Sequence, residues 1–424
     1  MAGQGTRGPG DTIHALIVPA DPAFISTRVG GLSVLLRAVC AAARAADTVT
    51  VLRTPVCTPA VAAEIDREVR RREALAPVEW ADVPGEIPDG ASLVLVTAAV
   101  IFEPATVAAL VAEACSERRT LRRRCRGDAQ AALWCAPPEH ARGLLAHVQQ
   151  VADLAQLDRA DAADTDSGAA LLERVSDEES RQRAEDAVLV RARKQSDSAV
   201  ARFFDRRISA ALTRPLLDTP TTPNQVTIAN TLVGLAGALL LLAPAHAARL
   251  SGALLLVLTV ILDGCDGEIA RVKYLESNAG RLLDFFTDNV VNAAAILATG
   301  LGHYLSGGHG FFYHASVATF ALALASVAPV YFLFFREHKA AGLSSAAAKG
   351  FDPYRLAEGM SGRDFVYLIF FLAIPNRVYW FTPICLVGLS VFFLFVSALA
   401  LRRLLVSART EPARPLWGAA GERG

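Results

Sequence analysis

The sequence DGCDGEIAR, residues Asp263–Arg271, lies at the end of the apolar run Leu250–Ile269, and Asp284 and Asp288 follow it. Steps of three and four residues bring side chains to one face of a helix. Asp263 and Asp266 therefore share one face, and Asp284 and Asp288 share a face of the next helix. The connection is short, which predicts antiparallel neighbours. The sequence thus predicts that four carboxylates converge at one end of two apolar helices.

Further apolar segments surround this pair and predict a membrane domain of six transmembrane helices over residues 219–405. Most of them approach the roughly 20 residues that a helix needs to cross a bilayer. The fifth is the shortest and is interrupted by Pro375. The segments are Gln225–Ala243, Leu250–Ile269, Leu282–Leu305, Ala315–Phe335, Phe365–Ile374 and Trp380–Leu401.

The flanks of this domain have their own patterns. Residues 201–218 interleave arginines with apolar residues, which is typical of an amphipathic helix at a membrane surface. Residues 406–424 are predicted to be a tail. Basic residues gather in the loops after the second, fourth and sixth segments, whereas the opposite loops hold little beyond Arg249 and Arg377. This bias predicts a multi-pass protein of the inner or plasma membrane with both termini and the aspartates in the cytoplasm.

The first half of the chain has a different composition and predicts a soluble α/β domain over residues 1–157. Short apolar runs such as Thr48–Leu52 and Leu93–Val96 alternate with helical patterns, which favours a parallel sheet. Residues 158–200 are predicted to be a linker followed by a charged helix. The net charge is zero, so charge gives no argument for a nucleic-acid partner. The seven cysteines have no zinc-type spacing and are expected to be reduced thiols.

Four carboxylates in apolar helices are costly unless something neutralises them. Oxygen ligands suit Mg²⁺, Mn²⁺ or Ca²⁺ better than zinc, and a metal cluster near a membrane surface suggests phosphate chemistry. Gly267 and Gly280 allow close approach of a ligand or helix, and Arg271 and Arg281 could clamp phosphate oxygens. The alternative is an ion-coupled membrane transporter that uses the aspartates. It predicts polar residues in several spans, but the later spans hold few, so we favour an enzyme.

The pattern resembles the signature of the CDP-alcohol phosphotransferase family over roughly Lys194 to Leu401. The signature reads Asp, two residues, Asp-Gly, two residues, Ala-Arg, eight residues, Gly, three residues, Asp, three residues, Asp. The matching positions are Asp263, Asp266, Gly267, Ala270, Arg271, Gly280, Asp284 and Asp288. The segment from Thr222 to Thr227 is similar to the family's T-P-N-x-x-T element.

This resemblance implies transfer of a phospho-alcohol or phosphatidyl group from a CDP-alcohol to an acceptor alcohol, with release of CMP. It implies two divalent ions, Mg²⁺ or Mn²⁺, held by Asp263, Asp266 and Asp284, with Asp288 near the second ion. Asp288 would also be the general base. Phospholipid or inositol-phosphate-type synthesis is the expected setting.

The resemblance also implies the substrate site and the assembly. Gly267, Ala270 and Arg271 would shape the CDP pocket, with Asn224 and Thr227 nearby, and Gly280 and Arg281 complete the expected substrate-binding set. The family usually forms homodimers through its membrane helices. The identities of the CDP-alcohol and of the acceptor stay open.

The first domain vaguely resembles a sugar-phosphate nucleotidyltransferase, a domain that is fused to this membrane domain in inositol-phosphate enzymes. Gly30-Gly31 stands in the place of that family's glycine pair. The departures predict an inactive domain: Asp21-Pro22 replaces the triphosphate loop, the lysine after the glycine pair is missing, and Ala98-Ala99 stands where a metal aspartate belongs. We expect it to dock on the membrane domain, stabilise a dimer or bind a partner. An unrelated α/β binding domain remains an alternative.

Overall fold

A computed structural model describes residues 12–125, 131–150, 162–165, 171–192, 206–340 and 365–410. The described residues divide into two compact units. The N-terminal unit is drawn from Met1–Asp197, Arg206–Val226 and Gly264–Leu283, and the helical unit is drawn from Ser198–Asp205, Thr227–Asp263 and Asp284–Gly424. The first unit therefore includes the segment between Asp263 and Asp284 as well as the N-terminal sequence.

A seven-stranded sheet forms the centre of the N-terminal unit. The strands of the unit are β1 Ile13–Ile17, β2 Arg28–Val29, β3 Leu32–Ser33, β4 Thr48–Leu52, β5 Val78–Ala81, β6 Ser92–Val96, β7 Val100–Phe102, β8 Leu121–Arg124, β9 Ala131–Ala136, β10 Ala163–Thr165 and β11 Leu172–Arg174. The sheet order is β10-β8-β9-β6-β1-β4-β5. Every residue of β6 is buried, as expected for a strand with helices on both faces.

The expected parallel sheet is wrong in one respect, because β9 runs antiparallel to both β6 and β8. The chain between β8 and β9 is short, and only antiparallel strands can be joined by so short a connection. Two strands also lie in the stretch whose composition predicts a linker. There β10 pairs with β8 at the sheet edge, and β11 pairs with β7. Each has three residues, too few to show an alternating pattern in the sequence.

Helices cover both faces of the sheet. The helices of this unit are α1 Ala23–Ser26, α2 Val34–Ala45, α3 Pro59–Arg70, α4 Pro104–Glu117, α5 Pro138–Gln150, α6 Glu178–Ala192 and α7 Arg206–Leu217. Ser33 caps α2 by accepting a hydrogen bond from the Leu36 amide at 3.3 Å, and 11 of the 12 residues of α2 are buried. The charged helix expected near Glu178 is α6. The helix expected over residues 201–218 is present as α7, and residues 201–205 lie outside the described residues.

The remaining helices are α8 Pro223–Leu242, α9 His246–Val272, α10 Asn278–Leu305, α11 Gly310–Ala340, α12 Phe365–Ala373 and α13 Phe381–Thr410. Four helical segments are long and apolar enough to cross a membrane: Pro223–Leu242, His246–Val272, Asn278–Leu305 and Val378–Arg402. The prediction of six spans is therefore not confirmed among the described residues. With nine residues, α12 is about 14 Å long, shorter than a bilayer core of about 30 Å.

Glycines bring the first three of these helices into close contact. A β-carbon at Gly252 would lie 2.6 Å from the carbonyl oxygen of Gly237, and one at Gly302 would lie 2.4 Å from the carbonyl oxygen of Leu241. Small residues at helix crossings allow backbones to approach closely. As a result, α8 packs tightly against both α9 and α10, the two helices that carry the aspartates.

Candidate active site

A tight reversal joins the two aspartate-bearing helices. Tyr274 adopts a left-handed conformation with φ of 57°, and the Leu275 amide donates to the Ala270 carbonyl at 2.8 Å, an arrangement that ends a helix. Ser277 then caps α10, because its hydroxyl accepts from the Gly280 amide at 2.9 Å. The expected antiparallel neighbours are therefore present, and the reversal occupies Lys273–Ser277.

Three of the four predicted carboxylates meet. Asp263, Asp284 and Asp288 each offer an oxygen that lies within 4.8 Å of the other two, and all three residues are partly buried. Asp284 and Asp288 come from successive turns of α10, and Asp263 comes from α9. Asp266 is not part of this set. It lies one turn further along α9, where its residue is 6% exposed, and its role as a ligand stays a prediction.

The carboxylate set suits a hard divalent cation. Like charges this close repel one another, and a bound cation offsets that repulsion. Mg²⁺ binds oxygen at about 2.0–2.1 Å, so opposite ligands of one ion are about 4.2 Å apart. The oxygens of the three aspartates lie within 4.8 Å of one another, which is compatible with one ion shared by all three. Among the described residues, no sulfur or imidazole joins this set, which favours Mg²⁺ or Mn²⁺ over zinc.

One buried polar residue at the level of this set was missed by the sequence analysis. A β-carbon at Gly234 would lie 2.6 Å from Val291 and 3.2 Å from Thr259, so α8, α9 and α10 touch at this level. Asn230 lies one turn before Gly234, at the level where α9 carries Asp263 and α10 carries Asp288. It is 6% exposed, and its Oδ1 has no hydrogen-bond partner among the described residues. The sequence feature that could have identified Asn230 is its amide side chain within an otherwise apolar helix.

Two of the predicted substrate-binding residues approach each other at the start of α10. A β-carbon at Gly280 would lie 3.1 Å from Oδ1 of Asn224 and 3.0 Å from the Ser277 hydroxyl. The glycine thus leaves room for the Asn224 amide, whose residue is exposed at the beginning of α8. This contact links the T-P-N-x-x-T element to the signature. Thr227, one turn later, is 5% exposed.

The two predicted arginines have different surroundings. The guanidinium of Arg271 lies over Gly267, where a β-carbon would be 3.1 Å from Nη1, and its Nε donates to the Ala192 carbonyl. Gly267 therefore makes space for Arg271 itself. Ala270 is partly buried beside it. Arg281 is exposed and donates to the Asn278 side chain at the start of its own helix, so the structure does not bring it to Arg271.

Buried polar contacts fasten α7 to the end of α9. The ammonium of Lys273 donates to the Thr219 carbonyl at 2.8 Å, and burial lowers the pKa of this lysine. The hydroxyl of Thr213 donates to the carboxylate of Glu268 at 2.8 Å. Both contacts lie just before the segment that begins α8, so they fix the position from which Asn224 approaches Gly280.

Curated relatives match parts of the chain. The bifunctional IPC transferase and DIPP synthase of Rubrobacter xylanophilus is 37% identical over 130 residues, which cover 30% of this chain and 29% of that protein. The protein of the same name from Archaeoglobus fulgidus is 30% identical over 238 residues, 55% of this chain and 43% of that protein. The chain thus spans less than half the length of the curated relatives it matches.

Solved structures of Mycobacterium tuberculosis phosphatidylinositol phosphate synthase also resemble the chain. The one with CDP-DAG bound is 21% identical and covers 50% of this chain and 100% of that chain, with a TM-score of 0.32. The one in complex with manganese and citrate is 20% identical and covers 51% of this chain and 96% of that chain, with a TM-score of 0.33. These TM-scores are too low to transfer either ligand to this chain.

The match to a family model is independent of these partial alignments. It covers residues 220–396 and is described as CDP-alcohol phosphatidyltransferase. The matched range contains the T-P-N-x-x-T element and all eight positions of the signature. Residues 220–396 are therefore a CDP-alcohol phosphatidyltransferase domain, which confirms the family that the signature predicted.

Proposed function

We propose that the chain is a membrane-bound, divalent-metal-dependent transferase. It moves a substituted phosphate group from a CDP-alcohol to the hydroxyl of an acceptor alcohol and releases CMP. The observation that carries this proposal is the meeting of Asp263, Asp284 and Asp288 within 4.8 Å inside a domain that matches the family over residues 220–396. The same match favours a transferase over an ion-coupled transporter.

The aspartates divide between holding cations and moving a proton. Asp263 and Asp284, with Asp266 as a further predicted ligand, would hold two ions, either Mg²⁺ or Mn²⁺. When bound, these ions neutralise the diphosphate and make CMP a better leaving group. Asp288, expected near the second ion, would accept the proton of the acceptor hydroxyl. The hydroxyl oxygen then forms a bond to the β-phosphorus, and the bond from that phosphorus to the CMP oxygen breaks.

The remaining signature residues bind the CDP group. Gly267, Ala270 and Arg271 would shape the CDP pocket, with Asn224 and Thr227 nearby. Arg271 is suited to diphosphate oxygens because its guanidinium is planar and permanently charged. Arg281, exposed at the start of α10, is a candidate for contact with an acceptor phosphate.

The biological setting and the assembly belong to the same proposal. The printed names of the curated relatives support inositol-phosphate-type or phospholipid synthesis, in which the acceptor is a polyol phosphate or a lipid alcohol. We infer a homodimer in the inner or plasma membrane with the aspartates on the cytoplasmic side. The N-terminal domain is proposed to be nucleotidyltransferase-like and inactive.

A direct test measures CMP release by the purified full-length protein. A panel of CDP-alcohols is combined with a panel of acceptors, in Mg²⁺, in Mn²⁺ and in excess EDTA. We expect release with at least one pair, abolished by EDTA and restored by either ion. Asp284→Asn serves as the inactive control. Full activity in EDTA would contradict the metal requirement, and no release from any pair would contradict the transferase.

A further inference from the structure

The reversal between α9 and α10 is held by residues from the first eighty of the chain, all within the N-terminal unit. Nε of Arg72 donates to the Lys273 carbonyl at 3.0 Å. The carboxylate of Glu73 accepts from the Asn278 amide at 3.1 Å. We call residues 273–278 the motif turn. Its beginning and its end are thus both bonded to the residues that follow α3.

A third contact is an ion pair at the middle of the motif turn. Nη1 of Arg44, at the end of α2, lies 2.7 Å from the carboxylate of Glu276. The Arg44 side chain is 24% exposed and that of Glu276 is 43% exposed. The pair is therefore accessible enough to be removed by substitution without leaving a fully buried charge.

Tyr274 lies at the centre of the motif turn and is 7% exposed. Two guanidiniums face its ring, Arg44 at 4.8 Å and Arg37 at 5.7 Å from the ring centre. Such cation–π contacts strengthen where water is excluded. Burial raises the pKa of the Tyr274 hydroxyl. Its left-handed backbone is unfavourable for a tyrosine, and these contacts compensate for it.

The glycine pair Gly30-Gly31 completes the contact surface. Both residues have positive φ, 56° and 77°. A β-carbon at Gly30 would lie 2.7 Å from Val272, the last residue of α9, and one at Gly31 would lie 2.0 Å from the Leu217 carbonyl at the end of α7. The pair thus allows a close approach to the end of α9 and to the backbone at the end of α7.

We propose that the N-terminal unit is a positioning platform for the transferase site, and that Arg44, Arg72 and Tyr274 are positioning residues. The inference rests on the proposed function. The motif turn covalently joins the helix that carries Asp263 to the helix that carries Asp284. A shift of the motif turn therefore moves Asp263 relative to Asp284. Displacements of about 1 Å can lower the rate by up to about 100-fold.

The test uses the full-length protein and pairs disruptive with conservative variants. Tyr274→Leu and Arg44→Ala remove the ring and the cation, whereas Tyr274→Phe and Arg44→Lys retain them. Arg142→Ala is the matched control, because Arg142 is an exposed arginine of the same unit that pairs with Asp89. Each variant is measured for kcat, KM, the Mg²⁺ concentration at half-maximal rate, and hydrogen–deuterium exchange of peptides covering residues 263–288.

We expect Tyr274→Leu to lower kcat by roughly 10–100-fold, to raise the half-maximal Mg²⁺ concentration and to speed exchange in the motif turn. Arg44→Ala should do the same to a smaller degree. The conservative variants and Arg142→Ala should match the parent protein. The platform is overturned if both disruptive variants leave exchange and Mg²⁺ response unchanged, whatever happens to kcat.

Two further outcomes keep the inference separate from the proposed function. If the parent protein releases no CMP, the proposed function fails, and the exchange data alone decide whether the motif turn is held from the N-terminal unit. If Tyr274→Leu does not fold, the Arg44→Ala variant tests the platform instead, because its ion pair with Glu276 is partly exposed and its loss should not prevent folding. Faster exchange in Arg44→Ala together with an unchanged rate and Mg²⁺ response would also overturn the positioning role.

Discussion

Gly280 lies against Asn224, so that a β-carbon at the glycine would come within 3.1 Å of the asparagine Oδ1. Gly280→Ala should therefore displace the amide and weaken binding of the CDP-alcohol. Overpacking typically costs about 1–3 kcal/mol, and 1.4 kcal/mol corresponds to about tenfold. We expect KM to rise about tenfold with a smaller change in kcat. Gly85→Ala is the control, because a β-carbon at Gly85 would meet nothing within 4 Å. Equal KM values for the two variants would contradict the role of this contact.

Asp288 and Asp266 should respond differently to neutralisation. Asp288→Asn mainly removes the proton acceptor, so CDP-alcohol binding should persist while kcat falls roughly 10²–10⁴-fold. Asp266→Asn should lose binding as well, because a predicted metal ligand is gone. Some loss of metal affinity is expected in both variants. Calorimetric binding of a CDP-alcohol in Mg²⁺, measured beside kcat, separates them. Normal turnover by Asp288→Asn would show that another residue is the general base.

Asn230 gives a prediction in which stability and activity change in opposite directions. Its buried Oδ1 has no hydrogen-bond partner among the described residues, and such an atom costs about 1–3 kcal/mol. Asn230→Leu, which keeps the branched shape of the side chain, should therefore raise the melting temperature. If the amide serves the neighbouring aspartates, the same variant should lower kcat or raise the Mg²⁺ requirement. A stabilised protein with parental kinetics would leave Asn230 a purely structural residue.

The membrane topology can be tested with single cysteines. The stretch 306–310 is expected outside the cytoplasm, and the loop around Ser344, which lies outside the described residues, is expected inside. Gly307 is a poor position for a cysteine because its φ is 79°, so exposed His309 is preferable. An impermeant thiol reagent on intact cells should label His309→Cys and spare Ser344→Cys. The parent protein, with seven cysteines, measures the background. The reverse labelling would overturn the orientation.

The N-terminal domain should not activate CTP. The carboxylate of Asp21 already accepts a hydrogen bond from the Ala23 amide at 2.8 Å. The side chains of Ala98 and Ala99 offer no metal ligand. Full-length protein should therefore release no pyrophosphate from CTP with polyol or sugar phosphates. A chain ending near Arg193 would lack α7 and the motif turn, so the full-length protein is the better sample. Robust pyrophosphate release would make the protein bifunctional.

Local patterns in the sequence predicted much of the fold. The strand Thr48–Leu52 appears with the same limits as predicted, because a run of β-branched and apolar residues encodes it directly. By contrast, β8 consists of Leu-Arg-Arg-Arg, and its strand conformation depends on pairing with β9 and β10. The strands β10 and β11, in the expected linker, likewise depend on their pairing partners, because three residues are too few to show a pattern.

The candidate site shows a similar division. The spacing of the aspartates predicted the meeting of Asp263, Asp284 and Asp288, since helix periodicity fixes which side chains share a face. Two features had no comparable signal. The burial of Asn230 depends on how three helices pack, and Tyr274 is held by arginines more than two hundred residues away. Long-range contacts of this kind leave no periodic trace in the sequence.

The sequence separation of 201 positions between Arg72 and Lys273 also sets an order of events during synthesis. At about 5–20 residues per second, a ribosome needs roughly 10–40 s to make this stretch. During that interval the N-terminal sheet has emerged, but the tyrosine that covers Arg37 does not yet exist. The last contacts of the N-terminal unit can therefore form only after α9 has been made and the chain has reversed into α10. Completion of the N-terminal unit is thus coupled to biogenesis of the apolar helices, and a failure of α9 or α10 to insert would leave a nascent chain with an uncovered arginine cluster for chaperones and proteases to recognise.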